Sequence, residues 1–269
     1  MKKRILSIFA IVCLAMSFTT VPVKADVGPK PSVHIRFENE PGEPYYVTLL
    51  SDQSTYGPWS AGGSDSSIKD PEINAFFNEY KDPDGFYYIG NAAQVTDGSY
   101  SWTYYPPKCF KILVYFPQSG NVIVSDVQER FAFDSYYTCD LKDGTVTENP
   151  YIRDNLIGFA IRLVLTILLE YLIALLFGFR SGKARKIILI TNLLTQILLN
   201  AVMGVLDYSS GLLVWLLFFP LMELIVMLIE SVIYAFTLKE QKPVRRVVYG
   251  IVANIVSAIL GFFTGILIG

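Results

Sequence analysis

Beyond Asp154 the chain carries four apolar runs, Leu156–Phe179, Ile187–Leu206, Leu212–Leu238 and Val247–Ile268, of 24, 20, 27 and 22 residues. A helix rises about 1.5 Å per residue, so each run is long enough to cross a bilayer core of about 30 Å. Within lipid every backbone polar group must find its partner inside the segment, which leaves helix as the outcome for such runs. The connections between them are short, and the runs are therefore expected to form an antiparallel four-helix transmembrane bundle over residues 154–269. Residues 26–153 are a separate problem.

Charge orients the bundle. The first connection, 180–186, carries Arg180, Lys183, Arg185 and Lys186. The third, 239–246, carries Lys239, Lys242, Arg245 and Arg246 against Glu240 alone. The second, around Asp207 to Gly211, has no Lys or Arg. The positive-inside rule places the first and third connections in the cytoplasm and residues 26–153 outside. Composition agrees with this division. Residues 26–153 hold 18 acidic and 9 basic side chains, residues 154–269 hold 6 and 9, so an acidic half is joined to an apolar half with a basic excess. That is not the profile of a nucleic-acid-binding protein.

The N-terminus reads as a cleaved signal peptide, 1–25. Lys2, Lys3 and Arg4 form a positive start, Ile5 to Phe18 a short apolar stretch, and Val23-Lys24-Ala25 a cleavage site with small residues where they are needed. The alternative is a fifth membrane helix, but a run of about 14 residues is short for a span that needs about 20. Export through the membrane puts residues 26–153 outside, in agreement with the loop charges. The expected localisation is a bacterial cell membrane, multi-pass.

The outer segment has the marks of a β-rich sandwich with one inserted helix. Val33 to Phe37 and Tyr46 to Leu50 alternate around Pro41-Gly42-Glu43-Pro44, which reads as a hairpin. Cys109 to Phe116 and Asn121 to Ser125 form a second hairpin across Pro117-Gln118-Ser119-Gly120, and Tyr136 to Cys139 another strand. Asp70 as N-cap, Pro71 at the first helical position and a stripe of Ile73, Phe76, Phe77 and Tyr80 mark the helix. Cys109 and Cys139 remain after processing, and an oxidising compartment favours their pairing in a disulfide over two buried thiols.

Catalytic chemistry finds little purchase. The single histidine, His34, comes with no specific Ser/His/Asp or Cys/His set around it. Asp82-Pro83-Asp84-Gly85 opens like a calcium loop but lacks the longer acidic pattern, so a plain turn is the better reading. No enzyme activity, metal or cofactor is expected. Aromatics are the unusual feature: Tyr56, Trp59, Tyr87, Tyr88, Tyr100, Trp102, Tyr104 and Tyr105 crowd into loop-prone sequence. Such side chains favour recognition surfaces, and they equally fill small β cores.

The membrane half holds more polar groups than an anchor needs: Arg162, Glu170, Glu223 and Glu230, with Asn192, Thr195, Gln196, Asn254 and Ser257. Ionisable groups at this depth are costly and usually face a bundle interior. An internal duplication orders them. Glu170 is followed after a basic loop by Asn192-x-x-Thr195, and Glu230 by Asn254-x-x-Ser257, at separations of 22 and 24 residues. The pattern predicts a parallel two-fold repeat of a helical hairpin. It sets each carboxylate within a turn of Thr195 and Asn254, and Arg162 near Glu223. Such contacts either glue helices together or line a cation path.

Lys30-Pro31-Ser32-Val33, Tyr45 to Leu50, Phe110 to Pro117 and Phe131 to Tyr137 resemble uncharacterised integral membrane proteins of Gram-positive, clostridial-type bacteria. The resemblance covers most of the chain and implies the same architecture and host type, with no activity. Two functions follow as expectations. One is a membrane-anchored envelope protein whose aromatic outer domain binds an extracellular ligand or envelope protein. The other is a small ion- or proton-coupled transporter or channel subunit using Glu170 and Glu230, for which four helices imply a homodimer. The lipid bilayer is a partner in both.

Overall fold

A computed structural model describes residues 28–63, 68–149 and 152–268. The signal-peptide reading of 1–25 lies outside the described residues.

The N-terminal part is β-rich. Its strands are β1 (Ser32–Glu38), β2 (Tyr45–Ser51), β3 (Thr55–Tyr56), β4 (Trp59–Ser60), β5 (Tyr87–Tyr88), β6 (Ala93–Val95), β7 (Ser99–Trp102), β8 (Cys109–Phe116), β9 (Asn121–Val124), β10 (Gln128–Glu129), β11 (Asp134–Asp140) and β12 (Val146–Glu148). One sheet has the order β12-β11-β1-β7, with β1 and β11 parallel. A second runs β10-β8-β2-β5, with β6 on β2 and β9 on β8, and β3–β4 is a small ribbon. Val33, Ile35 and Phe37 of β1 share one core with Val47 and Leu49 of β2 and with Phe110, Ile112 and Val114 of β8.

The expected pairing of β1 with β2 is corrected. The Pro41–Pro44 turn carries the chain from one sheet to the other, and both strands point their apolar sides into the shared core from opposite sides. The β8–β9 hairpin does form, with Phe116 opposite Asn121.

Helix α1 (Pro71–Glu79) begins as its cap chemistry dictates: Asp70 accepts the N–H groups of Glu72 at 2.9 Å and Ile73 at 3.4 Å. Its Ile73 and Phe77 cover Leu50 and Leu113, on the opposite face of the β2–β8 sheet from the main core. Burial on both faces explains why β8 is apolar almost throughout instead of alternating. The exception on that face is Lys111. Its ammonium reaches Asp82 at 3.1 Å and also bonds Asp84, in the Asp82–Gly85 turn. A lysine from the sheet therefore occupies the carboxylates that looked like the start of a calcium loop. Burial alone would lower its pKa; the hydrogen bonds it donates to Asp84 and Asp82 raise it instead.

No disulfide links Cys109 and Cys139; both are free thiols. The reason is period-2 alternation. Cys139 points into the main core, as does Phe110. Cys109, next to Phe110, must point the other way, and it belongs to the other sheet. Burial holds the Cys139 thiol up at about 12.

Three helices follow, each long and apolar enough to cross a membrane: α2 (Ile152–Leu176), α3 (Gly182–Thr237) and α4 (Pro243–Ile268). Helix α3 is broken at Gly211, where φ is 77° and ψ 176°. The expected connection Asp207–Gly211 thus shrinks to one non-helical residue between two arms, 182–210 and 212–237. The arms lie alongside one another: Thr195 on the first bonds Glu230 on the second, and Leu199 and Met203 pack with Phe219 and Val226. Glycine is required at the break twice over, by its positive φ and because a Cβ there would sit 2.5 Å from the Phe133 ring.

Candidate polar site between the helices

Glu170 comes from α2, Asn192, Thr195 and Gln196 from the first arm of α3, Glu223 and Glu230 from the second, and Asn254 and Ser257 from α4; all are buried. Around the two carboxylates the contacts repeat. Glu230 accepts hydrogen bonds from the Thr195 hydroxyl, from Asn254 Nδ2 at 2.8 Å and from the Tyr234 hydroxyl at 3.3 Å. Glu170 accepts from Ser257 Oγ at 2.9 Å, and the Asn192 carboxamide is its other polar neighbour. Each carboxylate therefore has the asparagine that follows it by one basic loop and the hydroxyl that follows the other. Asn192 and Thr195 are three apart on one helix, as are Asn254 and Ser257, so each pair shares a face. The two carboxylates sit side by side between these faces.

The site is tightly framed. The Gly250 backbone carries no side chain where α4 crosses the second arm; a Cβ there would lie 2.8 Å from Ser231 Oγ and 3.0 Å from its Cα. Asn254 Nδ2 also donates to Gly250 O at 2.9 Å, which commits both of its N–H bonds. Tyr249 donates to the carbonyl oxygen of Glu170 at 3.4 Å. Tyr234 and Tyr249 were not singled out from the sequence. Tyr234 follows Glu230 by four residues, and that spacing was the available signal.

Among the described residues, the buried polar atoms of the helices left without a hydrogen-bond partner are Glu170 Oε2, Asn192 Oδ1, Glu223 Oε2, Ser231 Oγ and Asn254 Oδ1. Every one is an oxygen able to accept. Toward the other end of the arms Arg162, Thr166, Gln196, Asn200 and Glu223 line a cavity of about 20 Å³, room for roughly one water. Arg162 and Glu223, expected near one another, both border this cavity.

The ends of the helices differ. At one end the two basic connections are clasped together: Glu240 accepts the N–H of Arg180 at 3.1 Å and of Ser181 at 2.6 Å, and Gln241 Nε2 donates to Gly178 O at 3.0 Å. At the other end the β-rich part is seated on the break in α3. Phe133 N donates to Tyr208 O at 2.9 Å, and the Tyr208 hydroxyl donates to Phe131 O.

The eight outer aromatics do not form one surface. Tyr88, Tyr100 and Trp102 are interior, because alternation on β5 and β7 turns them into the cores. Tyr87 is exposed on β5. Tyr56, Trp59, Tyr104 and Tyr105 do come together: Trp59 Nε1 donates to Tyr104 O at 2.9 Å, the Tyr104 and Tyr105 rings are 5.0 Å apart, and Arg130 reaches the Tyr56 hydroxyl at 3.3 Å. Tyr105 holds a φ of 51°, unusual for a bulky residue, with Lys30 5.0 Å from its ring centre.

The structure also surrounds His34 with partners that the sequence did not assemble. Its Nε2 lies 2.7 Å from Ser32 Oγ and its Nδ1 2.8 Å from Ser101 Oγ, while Ser32 in turn donates to Asp134. The carboxylate touches a serine and not the imidazole, which differs from the acid–histidine–serine order of a hydrolytic triad. Burial lowers the His34 pKa, opposed by Asp134. Comparison with protein-family models, with curated proteins and with solved structures finds no match to this chain.

Proposed function

We propose that the chain is a multi-pass membrane protein of the bacterial cell membrane whose four-helix antiparallel bundle, α2, the two arms of α3, and α4, is a small proton- or cation-coupled transport unit. In this reading the bundle is a parallel duplication of one helical hairpin, and the outer β sandwich with its inserted helix sits over the extracellular end. The basic connections 180–186 and 239–246 are cytoplasmic, at the end away from the outer domain, as the positive-inside rule asks.

The observation that carries the reading is the carboxylate pair. Glu170 and Glu230 are fully buried side by side, each held by an asparagine and a hydroxyl in the same repeated pattern. Helix glue needs amides and hydroxyls but no paired acids, and an ionisable group at this depth costs several kcal/mol by insertion scales. The polar cavity at Arg162 and Glu223 adds an approach from the outer side. Pro220 in the second arm sits three residues before Glu223, where helical bonding is weakened.

The test is gradient-driven flux in proteoliposomes. Wild-type protein is expected to carry protons or a monovalent cation, and the Glu170→Gln/Glu230→Gln double variant to lose that flux while remaining folded. Absence of flux under any gradient would overturn the reading.

A second reading keeps the bundle as anchor or relay and assigns function to the outer domain, binding an extracellular ligand or envelope protein. Its support is the cluster of Tyr56, Trp59, Tyr104 and Tyr105, with strained Tyr105 at the centre. Flux that survives removal of this cluster separates the two.

A further inference from the structure

We infer that the polar site binds one dehydrated monovalent cation, sodium being the candidate, at its Glu170 half; this rests on the transport reading and names the ion that would be coupled. The two halves of the site are alike in residues and unlike in satisfaction. Glu230 accepts three hydrogen bonds, which reach both of its oxygens. Glu170 accepts from Ser257 on Oε1, and Oε2 is without a partner. Asn192, its polar neighbour, and Asn254, which bonds Glu230, also carry an unpartnered Oδ1, in side chains with 1 % exposure each. Ser231 Oγ, against Gly250 one turn from Asn254, is a fourth such oxygen.

The unmet demand is for positive charge shared by several oxygens. A proton satisfies one acceptor. It cannot satisfy amide oxygens whose N–H groups already point at the carboxylate: Asn254 donates both N–H bonds, to Glu230 and to Gly250 O, so its Oδ1 is turned elsewhere. A hard cation gathers carboxylate, amide and hydroxyl oxygens together. Two adjacent carboxylates that share one proton keep one negative charge between them, which matches a single positive one. Magnesium would keep several waters, for which a site buried this completely has little room. Arg162, on the same helix, lies eight residues from Glu170, about 12 Å away along the axis, and borders the outer cavity.

The experiment uses the full-length protein in detergent, unfolded thermally in NaCl, KCl and choline chloride at equal ionic strength, with equilibrium binding of radioactive sodium alongside. A ligand that binds only the folded state raises the midpoint with concentration. Sodium is expected to raise it saturably over choline, with one ion bound per chain. Glu170→Gln is expected to abolish the difference between salts, and Asn192→Ala to weaken sodium binding at least about tenfold. Comparing salts within one variant removes any general loss of stability. Equal midpoints in all three salts, a rise in potassium with none in sodium, or a sodium response that survives Glu170→Gln would overturn the proposal. Proton flux with no sodium response would leave transport standing without this ion; sodium binding with no flux would do the reverse.

Discussion

Individual side chains in this protein are held by partners that lie far away in sequence. Lys111 is the clearest case, an ammonium brought under α1 by the strand β8 and matched by Asp82 and Asp84 from a turn 27 to 29 residues earlier. His34 is another. It stacks on Tyr136 at 4.8 Å and bridges two serines, and burial lowers its pKa below the 6.5 of a free imidazole. The unfolded chain therefore takes up the proton first. Outer-domain stability is expected to be level above about pH 6.5 and to fall as pH drops below it toward the folded-state pKa. Unfolding midpoints measured from pH 7.5 down to about 5 check this, and His34→Gln should flatten that part of the profile. The helix cap at Asp70 and the buried stripe of α1 were legible in the sequence, because both obey local rules. The partners of Lys111 and His34 were not, since strand order brings them together.

At the scale of elements, the break at Gly211 shapes the helical part. Without it α3 would run straight for 56 residues, about 84 Å, far beyond any bilayer. The residue combines a backbone region open essentially to glycine with close contact to Phe133. Gly211→Ala is expected to cost about 3 kcal/mol. In a Phe133→Ala background the cost should be smaller, because the steric part is gone and only the backbone strain remains. Unfolding in mild detergent measures both, and equal costs in the two backgrounds would mean that Phe133 and Gly211 do not share a strained contact. The apolar runs announced the helices, while the hairpin expected between β1 and β2 failed. A Pro-Gly turn between two alternating strands is compatible with a hairpin and with a crossover between sheets, and only the shared core distinguishes them.

For the whole molecule, the β-rich part meets the helices at Phe131, Phe133 and Tyr208, at the opposite end from the clasped basic connections. That arrangement predicts which surfaces water reaches on each side of a membrane. In a background free of native cysteine, Ser60→Cys should react with an impermeant maleimide on intact cells, and Lys183→Cys should react only after the membrane is opened. The reverse pattern would invert the orientation. The same two residues in a flux-inactive variant would show whether topology survives loss of the carboxylates.

The long apolar helices were readable from sequence alone because they depend on a sum, the length and hydropathy of a run. The polar residues of the site, Glu170, Glu230, Asn192, Thr195, Asn254 and Ser257, were likewise visible, since polar side chains stand out against an apolar background and recur at similar spacing. What the tertiary structure decided is which oxygen each donor reaches. The cross-pairing of Thr195 with Glu230 and of Ser257 with Glu170, the full satisfaction of Glu230 and the open oxygen of Glu170 depend on distances of a few ångströms between four helical segments. The separation of Cys109 from Cys139 and the sinking of Tyr88, Tyr100 and Trp102 into cores have the same origin. Alternation sets which way a side chain points, but only the packing of one sheet on another sets what it meets.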